Sequence, residues 1–239
     1  MNLYKHITLV TSLSASLLFT SCASNEIGQS KDVNPETVYQ QYHFVFTEGD
    51  KNAEITAWFR FAGENGTTLE LNSPGKFEYD GIVLQVDSSD FEGAFYQSFT
   101  PPEKAIGKHT LLFTGIDSKQ YENSFSVDSF TIAVPGSGIS KLAPAQVKFT
   151  APVLQGEDYI ELTTEGTDSS FTIKHTADEK GDYCIIPVAE LQRQKKNEFS
   201  LIATLHRKLS LQQQTKQGGE IITRQTLKPL KLRLVDEKL

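Results

Sequence analysis

From residue 38 onward the chain is dominated by alternation of apolar and polar positions. Ile55, Ala57, Phe59 and Phe61 fall in one phase, and Glu54, Thr56, Trp58 and Arg60 in the other. A period of two puts successive side chains on opposite faces of a strand, so this pattern predicts half-buried β-structure. Asn65-Gly66 breaks the alternation before Leu69 and Leu71 resume it, and Asp80-Gly81 separates the apolar runs 77–79 and 82–86. Both dipeptides tolerate positive φ, which predicts tight hairpin turns. Further strands are expected over 42–47, 93–99, 108–115 and 124–134. So many short strands with almost no helical periodicity predict a β-sandwich.

Residues 135–145 (PGSGISKLAPA) have linker composition. A second β series follows at 147–150, 158–164, 169–175 and 183–187, then over 199–211, 220–226 and 230–235. Pro187 is positioned to open a single helical turn running to Gln192. The expected organisation is a domain over 38–135, a linker over 136–143 and a second domain over 144–239. The fold class is all-β, with two tandem β-sandwiches.

The N-terminus departs from this pattern. Residues 1–21 carry one base, Lys5, and no acid, around an apolar stretch from Ile7 to Phe19. As a helix that stretch spans only about 20 Å, too short for a hydrocarbon core of about 30 Å. It reads as an export signal rather than a membrane span. Leu18-Phe19-Thr20-Ser21-Cys22 resembles the lipobox of bacterial prolipoproteins, in which a leader peptidase cuts before a Cys that carries lipid. Phe19 departs from that pattern, where Leu is commoner. The resemblance implies a signal peptide over 1–21, lipidation of Cys22 with palmitate-type chains, and a membrane partner reached through the lipid. Ala23 and Ser24 carry no acid, which by the same resemblance points to the outer membrane of the cell envelope. Residues 22–37 are polar and read as a tether. Anchor and sandwiches together resemble the two-domain, immunoglobulin-like envelope lipoproteins of Gram-negative bacteria, many without known activity. The Cys…Trp…Cys framework of antibody domains is absent.

Candidate chemistry is sparse. The sequence contains no HExxH, CxxC, GxSxG or GxxxxGK[ST]. Ser73-Pro74-Gly75-Lys76 matches SxxK in letters, but Pro and Gly inside it predict a turn rather than the helix the motif needs. His43, His109, His175 and His206 lie on separate predicted strands. Cys184 sits among apolar neighbours and reads as a core residue. Asp87, Asp90 and Glu92 cluster three carboxylates, which suits a weak calcium loop or an ordinary acidic turn. No catalytic residue, metal site or cofactor is assigned.

Two distributions remain. Trp58 shares its predicted face with Arg60, a pairing of aromatic plane and hydrogen-bonding group that suits a sugar or a peptide. The chain carries a net charge of −7, which excludes indiscriminate nucleic-acid binding, yet from residue 193 onward 11 bases face four acids. Arg207, Lys208 and Arg224 would stand on one hairpin and attract an anionic partner. The expected function is a non-catalytic binding or scaffolding module. Its alternatives are a glycan-binding surface lipoprotein using Trp58 and the first domain, or an assembly subunit meeting an envelope protein through the basic hairpin.

Overall fold

The computed structural model describes residues 26–134, 136, 138–165 and 169–236. Cys22 and the preceding apolar stretch lie outside the described residues. The described chain is all-β, as the alternation predicts. Its first half carries β1 (Ile27–Gln29), β2 (Val38–Thr47), β3 (Ala53–Phe61), β4 (Thr67–Glu70), β5 (Lys76–Tyr79) and β6 (Ile82–Leu84). Then come β7 (Val86–Ser89), β8 (Gly93–Thr100), the helical turn α1 (Pro102–Ala105), β9 (Gly107–Thr114) and β10 (Gln120–Val127). The second half adds β11 (Thr131–Ala133), β12 (Ile139–Ser140), β13 (Ala145–Thr150), β14 (Tyr159–Glu165), β15 (Thr172–Thr176) and β16 (Tyr183–Ile186). It ends with α2 (Val188–Gln192), β17 (Glu198–Ser210), β18 (Gly219–Thr226) and β19 (Leu230–Val235).

Turn chemistry explains several boundaries. Asp80 and Gly81 both adopt positive φ, 47° and 79°, which a two-residue hairpin with the native twist requires. Gly66 has no room for a side chain, because a Cβ there would collide with the Phe61 carbonyl. Pro187 precedes α2 as predicted.

Two expected strands divide. The run 82–86 breaks at Gln85, so that β6 joins β5 while β7 joins β8 in a different sheet. The run 124–134 likewise breaks, with β10 beside β9 and β11 beside β13. Alternation specifies extended backbone but not which neighbour a strand adopts.

The strands form a 12-stranded sheet with β2, β3, β17 and β18 at its centre, a four-stranded sheet (β10-β9-β5-β6) and a three-stranded sheet (β11-β13-β16). The four-stranded sheet covers one half of the large sheet, and the three-stranded sheet covers the other. One core joins Tyr42, Phe44, Ile55 and Phe59 to Phe77, Leu111 and Phe113. Phe59 and Phe113 stack at its centre, with ring centroids 4.5 Å apart. The other core sets Val147 and Ile186 against Ile160, Leu162, Leu201 and Leu205.

The C-terminal hairpin ties the halves together. β17 is long enough to pair with β14 and β19 over its first part and with β18 over its last. β18 then lies parallel to β2, with Ile221 opposite Tyr42 and Gln225 opposite Phe46. Leu211 and Ile221 accordingly belong to the first core, although they lie far along the chain from it. The loop after β17 also closes the outer edge of β10. Gln212 and Gln213 donate their backbone N–H groups to Asn123 Oδ1 at 2.8 and 3.0 Å. Their side-chain oxygens accept from the Ser124 and Glu122 N–H groups at 2.7 and 2.9 Å. Two glutamines thus take the place of a neighbouring strand and remove an edge open to pairing.

Candidate functional site

Trp58 stands on the face the alternation assigns to it. Opposite it in register is Gln41, and the same outer face carries His43, Thr56, Arg60 and Glu220. That face is more covered than its polarity implies: Trp58 is 8% exposed, Gln41 8% and Glu220 6%. The His43 ring meets the indole edge-on at 4.9 Å. Arg60 Nε donates to Gln41 Oε1 at 3.4 Å, and Gln41 Nε2 donates to Glu220 Oε1 at 3.1 Å. Lys208 Nζ reaches Glu220 Oε2 at 3.4 Å. The result is a polar seam across β3, β2, β18 and β17 that fastens both halves of the large sheet. Stacking a sugar needs an open ring face, and here neighbouring side chains cover that face. Arg60 is half-buried and spends a further contact on the Gly66 carbonyl at 3.3 Å. Burial holds the His43 imidazole below its ordinary pKa, so a neutral ring fits this covered position.

The three candidate bases of the hairpin are not on one surface. Successive residues of a strand point to opposite faces, so Arg207 and Lys208 diverge. Arg207 Nε binds Asp158 Oδ2 at 3.1 Å, and its Nη1 lies 3.9 Å from Asp128. The Asp158 side chain is 1% exposed and also accepts the Lys208 and Gln155 backbone N–H groups. Arg207 is therefore a partner for a buried carboxylate at the point where β14 begins. Lys208 is shared between Glu157 and Glu220. Arg224 is exposed and lies opposite His206. Arg224 stays exposed, while Arg207 and Lys208 are offset by Asp158, Glu157 and Glu220, acids from other stretches of chain. No local spacing announces them.

Two places resemble catalytic groupings, and both have their reactive atoms occupied or disfavoured. His109 is 2% exposed, with Nδ1 at 2.8 Å from both Asp80 Oδ2 and the Tyr79 hydroxyl. Its Nε2 lies 3.1 Å from the Ala105 carbonyl, which can only accept. Both ring nitrogens are thus committed to holding α1 and the β5–β6 turn. Elsewhere Cys184, His175 and Glu179 line a recess of about 360 Å³. Burial pushes the Cys184 thiol up to about 12, with the Glu179 charge adding to it, which disfavours the thiolate a nucleophile needs. Of the remaining motif, Lys76 pairs with Glu78 at 2.8 Å rather than with Ser73. Among the described residues no three His, Cys, Asp or Glu side chains are placed to hold a metal.

A concave site appears where the halves meet. A groove of about 560 Å³ is lined by Phe46, Ile106, Phe130, Ile132, Leu227 and Leu230, with Glu48 and Lys228 among its polar residues. Glu48 Oε2 accepts the Lys228 backbone N–H at 3.1 Å. The volume lies within the range of ligand sites, and an apolar lining with few polar groups is the usual composition of one. Its residues come from separate stretches of chain, so sequence spacing does not reveal it.

No family model and no curated protein matches the sequence. Among solved structures, the chain is similar to murine CEACAM1b, at 9% identity and a TM-score of 0.28 over 82% of this chain and 100% of that one. It is also similar to a complex of Dpr11 IG1 bound to DIP-gamma IG+IG2, at 11% identity and a TM-score of 0.24 over 80% and 96%. Superpositions this loose fix neither topology nor function for the present chain.

Proposed function

We propose that this chain is a lipid-anchored, non-catalytic module of the bacterial cell envelope that binds or scaffolds another molecule. It is held at the outer membrane through Cys22 and takes an apolar part of its ligand in the groove between its halves. The groove is the observation that carries the binding reading, because both halves contribute to it and its apolar lining is left open. Leu18 to Cys22 support the anchor through their likeness to a lipobox. The committed nitrogens of His109 and the raised thiol of Cys184 support a non-catalytic role. The covered ring of Trp58 does not favour glycan stacking, and the pairing of Arg207 and Lys208 leaves Arg224 alone of the three candidate bases for an anionic partner.

Two measurements test this reading. Metabolic labelling with palmitate should mark the wild-type chain, while Cys22→Ser should be unlabelled and leave the membrane fraction. A soluble form beginning at residue 26 should bind an apolar fluorophore saturably, and Ile106→Glu with Ile132→Glu should weaken that binding about tenfold while the circular dichroism stays unchanged. An unlabelled wild type would overturn the anchor. Binding indifferent to the two glutamates would overturn the groove.

A further inference from the structure

The sandwich of the first half is closed along one edge and open along the other. At β10 the two glutamines of the C-terminal loop satisfy the outer backbone groups. Among the described residues β6 pairs only with β5, and β7 only with β8, so Ile82 to Ser89 form a continuous border that crosses from one sheet to the other at Gln85. Register shows which way its side chains point. Ile82 lies opposite Tyr79 and Leu84 opposite Phe77, both core residues, while Val86 lies opposite the core residue Tyr96. These three positions therefore face inward. Leu84 is covered, yet Ile82 remains 63% exposed and Val86 41%. Side chains that point into a sandwich stay exposed when the mouth between its sheets is uncovered. Of the usual devices against strand addition, the border has short strands of three and four residues and one charge, Asp87, but no Lys and no Pro.

We infer that the β6–β7 border is a docking site for an extended segment of a partner protein, which adds as a strand and covers Ile82 and Val86. The charge pattern identifies the kind of segment. Between Lys76 and Lys104 the chain carries six acids and no base, with Asp87, Asp90 and Glu92 around the β7–β8 turn. A second copy of this chain would set those acids against its own, so self-pairing along this border is opposed. A strand alternating apolar and basic residues meets both requirements: its apolar positions close the mouth and its bases face the acids. This surface is separate from the junction groove and does not depend on lipidation of Cys22.

The test uses a capped eight-residue peptide of alternating valine and lysine, with the full chain in detergent. The valine–lysine peptide should bind saturably, slow amide exchange across 82–89, and lose affinity as salt rises from 50 to 500 mM. A valine–glutamate peptide should bind at least about tenfold more weakly, as should the valine–lysine peptide to Ile82→Lys with Val86→Lys, an exposed double change of the sort that guards natural edges. Equal binding of the two peptides, exchange protection outside this border, or affinity unchanged in the double variant would overturn the inference. So would self-association of the chain abolished by the same two lysines, which would assign the border to a second copy.

Discussion

Replacing Asn123 with Ala removes the side chain that fastens the C-terminal loop to the edge of β10. Asn123 is 1% exposed, and it accepts from the Gln212 and Gln213 backbone N–H groups while donating to the Gln213 carbonyl at 2.9 Å. Each such bond contributes about 1 kcal/mol net, and leaving partly buried backbone donors unpaired adds to the loss. The expected destabilisation is about 2–4 kcal/mol. With a urea m-value of about 2–3 kcal/mol/M, the midpoint should fall by about 1 M. Trp58, the chain's only tryptophan, sits on the sheet that this hairpin completes and provides the fluorescence signal. Hydrogen exchange locates the effect: the Glu122 and Ser124 amides, held by the two glutamine side chains, should lose protection with the loop. A variant within about 0.5 kcal/mol of wild type, with those amides still protected, would refute the argument that this loop is a structural edge cover.

Other perturbations separate the roles of individual side chains. Arg207→Ala leaves the Asp158 carboxylate buried without its cation and should cost about 3 kcal/mol in denaturant unfolding, whereas the exposed Arg224→Ala should cost less than about 0.5. Equal effects would contradict the separation of the hairpin's bases. Burial holds His43 and His206 below 6.5, so the unfolded chain binds protons there before the folded one. The stability tied to these neutral rings is full above pH 6.5 and is lost as pH falls below it. The unfolding midpoint should therefore drop between pH 7 and 5.5, less steeply in a His43→Gln, His206→Gln double variant; a steeper drop there would reverse the sign. Cys184, with its thiol at about 12, should resist iodoacetamide for hours at pH 7 in a Cys22→Ser background and react promptly in urea. Rapid native labelling would reopen a chemical role for its recess.

Much of the chain's local character was legible from neighbouring residues. The alternation places Trp58 on the face of Thr56 and Arg60, Asp80-Gly81 turns where positive φ is tolerated, and a helical turn follows Pro187. These are consequences of spacing and backbone freedom within a few residues, so sequence by itself determines them. Tertiary structure alone decided the rest. That β18 lies beside β2, bringing Gln41 to Glu220 across 179 positions, depends on which edge remains unpaired once both sheets have formed. The division of 82–86 at Gln85 has the same origin. Whether Trp58 meets water, and whether Arg207 keeps a free charge, is settled by side chains reaching over from adjacent strands. Alternation specifies that a residue points outward; exposure and net charge at that point depend on neighbours that only the folded chain brings near.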